Sequence, residues 1–274
     1  MLDNARTQIM GIVNLTSDSF SGDGLLARRV GVRGIIKYVQ GLIAHGADII
    51  DIGGESSRPG AKPISVKEEL KRTIPLIERL SSRIKTPISI DTYKPEVARR
   101  ALKSGASIVN DITGLRNPRM IEVIADSPAA RVVIMHMKGM PQNMQENPQY
   151  KSLIREIIGY LKKAIKRAGS SGIKKERIII DPGIGFGKTT KHNLEILRRL
   201  AEFKVLGCPI LVGPSRKSFM GRILNLPKPE DRLIPTIASL AVAVMKGADI
   251  IRVHDVKFAA QAVRLTEAII KGSN

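Results

Sequence analysis

Short β-branched runs recur along the whole chain and alternate with helical patterns, which constrains the fold more than any other feature. The runs are "IMGIVN" (9–14), "ADIIDIG" (47–53), "PISIDT" (87–92), "SIVNDI" (107–112), "RVVIMH" (131–136), "RIIIDPG" (177–183), "PILVGP" (209–214) and "DIIRVHD" (249–255). Most are almost continuously apolar, as parallel strands covered on both faces should be. Between them lie helix candidates such as "SVKEELKRTIPLIERLSSRI" (65–84) and "YKSLIREIIGYLKKAIKRAG" (150–169). In the second, Leu153, Ile157, Tyr160, Leu161 and Ala164 share one face at three- and four-residue spacing. Strands and helices alternating in this way predict a single (β/α)₈ barrel domain over residues 1–274. The competitor is a doubly wound open sheet, which gathers its polar residues at one switch point. Here a polar residue closes nearly every run: Asn14, Asp51, Asp91, Asn110, His136, Asp181, His254, and Ser215 just past the seventh. Barrel enzymes carry their chemistry at those strand ends, so the barrel is the reading we adopt.

Composition limits the partners such a barrel can have. Hydrophobic residues are 43% of the chain and aromatics only 3%, which calls for an aliphatic core. The lone Cys208 cannot form an internal disulfide, and "MLDNARTQIMG" lacks a signal-peptide pattern; both favour a cytoplasmic location. The longest apolar stretch, Leu233 to Met245, is interrupted by Pro235 and too short to span a bilayer, so no membrane partner is expected. The net charge of +20 attracts anions in general. Its densest basic run, "KKAIKRAGSSGIKKER" (162–177), has no aromatic to stack on bases, so a solvated surface is favoured over nucleic-acid binding.

The segments after the strands are where chemistry is expected. "DIGGESSRPGA" (51–61) sets Glu55, Ser56, Ser57 and Arg58 among glycines that let backbone approach a ligand, with Arg58 able to fork onto phosphate. Its bland alternative is a loop that only caps the next helix. "MGIVNLTSDSFSGDG" (10–24) offers Asn14, Asp18 and Asp23 as hard oxygen donors suited to Mg²⁺, on a segment polar enough to act as a lid. "DPGIGFGKTT" (181–190) imitates a phosphate loop, but a Walker motif needs glycine where Pro182 stands, which excludes an ATPase of that type. Asp181 suits a heterocycle bearing N–H groups, or else caps a helix. "GPSRKSFMG" (213–221) puts Arg216 and Lys217 on a turn opening a helix, a setting that favours an anion. In "RVHD" (252–255), Arg252 and His254 point the same way on period-two geometry. His45 and His192 read as helix residues, His136 as either site or packing, and no Cys/His cluster has zinc spacing. Together these groups describe a polar, nitrogenous ring held at depth with a phosphate or diphosphate nearer the rim.

The motifs "MGIVNLTSDSFSGDG", "DIGGESSRPGA", "SIDTYKPEVARRALKSGASIVNDI", "MHMKGMPQNMQ", "DPGIGFGK", "VGPSRKSFMG" and "RVHDV" resemble, in order, those of the dihydropteroate synthase family of pterin-binding enzymes. The resemblance spans residues 10 to 256. It implies joining of p-aminobenzoate to 6-hydroxymethyl-7,8-dihydropterin diphosphate with release of diphosphate, usually by a homodimer. It also implies Asn14 as the Mg²⁺ ligand; Asp91, Asn110, Met135, Asp181 and Lys217 around the pterin; and Ser57, Arg58, Arg252 and His254 at the diphosphate. Phe20, Pro59, Phe186 and Ser218 match the p-aminobenzoate pocket. Ser57 replaces the family's usual threonine, and Asp23 stands one residue beyond the usual loop aspartate, where this chain has Gly22. Further departures are Ser17, Pro214, Pro235 and Ile237. The implied chemistry is dissociative, with Lys217, Arg252, His254 and Asp23 nearest the reacting bond. Two other functions compete: a pterin-binding methyltransferase barrel, which would have no use for "SSRPG" and "SRKS", and a non-enzymatic RNA or membrane-surface binder using the basic charge.

Overall fold

A computed structural model describes residues 6–16 and 31–272. Eight parallel strands form one sheet: β1 Gln8–Asn14, β2 Ile49–Gly53, β3 Ile88–Asp91, β4 Ile108–Asp111, β5 Arg131–Met135, β6 Ile178–Asp181, β7 Leu211–Val212 and β8 Ile250–Val253. Each matches one of the apolar runs. They run in the order β6-β5-β4-β3-β2-β1-β8-β7, and a single parallel bridge, Ile180 to Ile210, closes β6 onto β7. The result is the (β/α)₈ barrel that the sequence implies. The helices outside it are α1 Val32–Ala44, α2 Val66–Ser81, α3 Pro95–Lys103, α4 Pro118–Ala125, α5 Leu153–Ser170, α6 Thr190–Arg198, α7 Ser218–Leu224, α8 Leu233–Met245 and α9 Val256–Lys271.

Local chemistry sets several helix starts. Ser65 accepts from the Glu68 N–H to cap α2, and Thr189 and His192 form a reciprocal capping box on α6. Pro95 and Pro118 open α3 and α4, where the missing N–H costs nothing. His45 is the exposed C-cap of α1, so neither His45 nor His192 belongs to a site.

The core has two layers. The larger packs outward-facing strand residues such as Val13, Ile50, Ile90 and Val109 against the helices. The smaller fills the barrel: Met10, Ile49, Ile108, Val133, Ile179, Leu211 and Ile250, with Ser89 supplying the inward position of β3. These aliphatic side chains plug the cylinder. Two residues further along each strand, the same inward face becomes the floor of whatever sits above.

Candidate functional site

Register places the strand-end residues together. Asp51 stands two residues past Ile49, Asn110 two past Ile108, Met135 two past Val133, Asp181 two past Ile179 and Arg252 two past Ile250. The pairings Asp91 with Asn110 and Met135 with Asp181 put neighbouring strands level at that height. On β7 the equivalent residue is Gly213, where an added Cβ would come within 3.5 Å of the Arg252 Cβ. A side chain there would rest in ordinary contact with the arginine.

Arg252 is the hub of this layer. Its Nε donates to Asp51 Oδ2 and its Nη2 to Asp91 Oδ2, both at 2.7 Å, while Asn110 Nδ2 donates to the same Asp51 oxygen at 3.3 Å. Asp51 is fully buried. The two carboxylates raise the guanidinium pKa further, against the opposing effect of burial. Burial also drives the Asp91 carboxyl well above the usual range, although Arg252 pulls it down. The sequence reading set Arg252 on a diphosphate. The structure shows it forked onto two aspartates first, so any anion above must share it.

Across the barrel, burial raises Asp181 to about 6; its Oδ1 accepts from the Gly183 N–H at 2.7 Å, which turns the chain out of β6. Lys217 faces this carboxylate from the residue before α7, and burial lowers its ammonium to about 8. Its Nζ stands 4.2 Å above the centre of the Phe186 ring. Met135, Met137, Met144, Ile112 and Phe186 form a separate apolar cluster, with Tyr93 and Met140 at its edge. A flat ring placed here would meet hydrogen-bonding groups at its edges and soft apolar side chains beside it.

The rim carries the hydroxyls and further cations. One cleft is lined by Asn14, Ser57, Arg58, Pro59, Asp91, Phe186, Lys217, Ser218, Arg252 and His254. Asn110, Met135 and Asp181 belong to the layer described above. Ser215 Oγ accepts the His254 backbone N–H at 3.2 Å and lies 2.9 Å from its Nδ1, which holds the imidazole at the rim. Ser218 is exposed at the start of α7. Phe20 and Asp23 lie outside the described residues.

Several expected roles change. Gly54 was expected to admit a ligand; a Cβ there would instead come within 2.8 Å of Thr73 Cγ2 and 3.0 Å of Glu69 Cγ, so it admits helix α2. Arg216, expected at an anion, forks onto Asp255 at 2.9 and 2.6 Å and has φ +56°. His136 proves to be packing: it is buried, meets Tyr160 edge-on at 4.9 Å, and is held near 2 by burial and by Lys188.

The Pterin binding enzyme family model matches residues 10–254. The dihydropteroate synthase of Escherichia coli (strain K12) is 45% identical over 269 residues, covering 98% of this chain and 94% of that protein. The chain belongs to the dihydropteroate synthase family. As a member it is a transferase. Among solved structures, the Yersinia pestis dihydropteroate synthase in a sulfonamide drug complex superposes with a TM-score of 0.94 at 41% identity, covering 98% of this chain and 96% of that one. The Xanthomonas albilineans dihydropteroate synthase with 4-aminobenzoic acid gives 0.89 at 41% identity, covering 98% and 94%.

The site also contains residues that the sequence reading did not single out. Lys188 is 1% exposed; its Nζ donates to the Phe186 carbonyl at 2.9 Å and the His136 carbonyl at 3.3 Å, and burial lowers it to about 7. Gln145 Nε2 donates to the Gly185 carbonyl at 2.7 Å. A lysine that interrupts a glycine-rich segment was the available signal for the first; the second had none.

Proposed function

We propose that this enzyme joins 6-hydroxymethyl-7,8-dihydropterin diphosphate to p-aminobenzoate, giving 7,8-dihydropteroate and diphosphate. The observation that carries the reading is one layer in which Asp91, Asn110 and Asp181 lie beside Arg252 and Lys217, beneath a rim bearing Ser57, Arg58 and His254. Buried oxygens at the first three positions suit the N–H groups of a pterin edge. Met135 and its apolar neighbours suit the ring face. The titratable pair Asp181 and Lys217 fixes orientation, because each favours the charged form of the other.

The reaction breaks the bond between the pterin methylene carbon and the diphosphate oxygen. Positive charge left on that carbon is delocalised into the dihydropterin ring. The arylamine nitrogen then bonds to the carbon and loses a proton. Arg58, Arg252, His254 and Lys217 act on the negative charge that grows on the leaving group, where fixed cations in a water-poor site act most strongly. Phe186, Pro59, Ser218 and Phe20 take the arylamine, with Ser218 at its carboxylate. Nothing in this sequence of events requires a side-chain nucleophile.

A Mg²⁺ ion fits this donor set in one mode. Among the described residues no cluster of three His, Cys, Asp or Glu side chains forms a cage, but the Asn14 amide lines the cleft from the end of β1. Mg²⁺ commonly takes one or two protein oxygens and completes its shell with substrate phosphates and water. Asn14 would hold it, with Asp23 a candidate second donor in the sequence, and bound there it would act as a Lewis acid toward the leaving diphosphate.

No helix among the described residues is long and apolar enough to cross a membrane, and the lone Cys208 is a buried free thiol, which supports a cytoplasmic reading. A homodimer is supported by exposed apolar side chains on α7, α8 and α9, including Ile223, Ile234, Met245, Leu265 and Ile269. The deciding experiment is a coupled assay for diphosphate release from the dihydropterin diphosphate, with and without p-aminobenzoate. Release that is absent with both substrates would reject the assignment.

A further inference from the structure

The loop bearing Ser57, Arg58 and Pro59 is closed at its base by one carboxylate. Glu55 Oε2 accepts from the Ile64 N–H at 2.7 Å and from Lys94 Nζ at 2.6 Å. The first residue of the loop is thereby fixed to the point where the chain leaves for α2. Lys94, the residue before α3, also donates to Glu69 Oε2 on α2 at 2.5 Å. The side chains of Lys94, Glu55 and Glu69 are 12%, 9% and 1% exposed. Gly54 makes the junction possible, since any side chain there would displace Glu69 and Thr73. Farther along, the Gly60 N–H donates to the Pro141 carbonyl at 2.9 Å, tethering the other side of the loop.

Exposed ion pairs contribute little, but this ammonium lies between two carboxylates that water barely reaches. Without it, the loop base and α2 would present like charges to each other at short range. We propose that Lys94 is a positioning residue for the transfer: by holding Glu55 against Glu69 it sets where Ser57, Arg58 and Pro59 stand over the cleft. This rests on the reading that those three residues hold diphosphate and arylamine.

The test compares wild type, K94M, K94R and the double variant K94M/E69Q, which removes the ammonium together with one carboxylate and so leaves a less strained interior. Diphosphate release is measured against p-aminobenzoate concentration, and calorimetry with a pterin analogue reports the deep pocket. The expected result is a rise of about 10-fold or more in KM for p-aminobenzoate in K94M and in the double variant, with analogue affinity within about 2-fold of wild type and K94R within about 3-fold in KM. An unchanged KM in whichever of the two lysine-to-methionine proteins folds would overturn the proposal. So would a loss of analogue affinity equal to the rise in KM, because that is general damage to the barrel. A wild type silent with both substrates would instead reject the transfer reading, and this proposal with it.

Discussion

Asp181 is a carboxylate kept ionised where water hardly reaches it, and that cost should be measurable. Burial raises it to about 6 from 3.8, so the folded protein binds this proton more tightly than the unfolded chain does. A raised carboxylate destabilises the fold above its folded pKa, and the penalty disappears as pH falls toward 3.8. D181N should therefore raise the melting temperature of the substrate-free enzyme at pH 7.5, by on the order of 2–3 kcal/mol in stability. It should also lose about 1–3 kcal/mol of pterin-analogue affinity, because an acceptor for a buried N–H is gone. Calorimetric titration together with thermal melts reads both; an unchanged affinity removes Asp181 from the site. In the wild type, analogue affinity should fall as pH is lowered through about 6, since the protonated acid no longer accepts two hydrogen bonds at the ring edge. The residues of this layer were legible because each ends a strand whose inward face is set by period two. Their partners were not: Asp51 and Arg252 are 201 positions apart, and no local spacing announces that they meet.

The loops after β5 and β6 behave as one unit, and Gly183 is where they touch. A Cβ at that residue would fall 1.9 Å from the His136 carbonyl oxygen, and the backbone there has φ +73°. G183A should cost about 3 kcal/mol or more, since neither the carbonyl nor the left-handed backbone can yield cheaply. Urea unfolding midpoints measure it, and a loss under about 1 kcal/mol would mean that the two loops separate readily. K188M should loosen the same unit, leaving the Phe186 and His136 carbonyls without their buried donor. The strands and most helices could be read directly, because buried parallel strands must be apolar throughout and helices must show a stripe. Glycine roles could not. A glycine placed to admit a ligand and one placed to admit a helix look alike in sequence, and Gly54 is of the second kind.

Over the whole molecule, the exposed apolar side chains gather on the last three helices, while the basic run of α5 is largely solvated. If α7 to α9 form the face between two copies, I234R combined with M245R should convert a dimer to a monomer in light scattering, with the barrel's circular dichroism unchanged. A protein whose mass is the same before and after substitution would place the partner face elsewhere. The cylinder itself is not equally stiff all round. Seven of its joints are runs of paired residues, whereas β6 meets the two-residue β7 through one bridge. Asp181 ends the strand on one side of that joint, and Lys217 follows the strand on the other. A pterin gripping both would span the gap like a stitch across the overlap of a rolled sheet. Amide hydrogens of Leu211 and Val212 should exchange faster than those of Ile50 or Val109 in the empty protein, and slow most when the ring is bound.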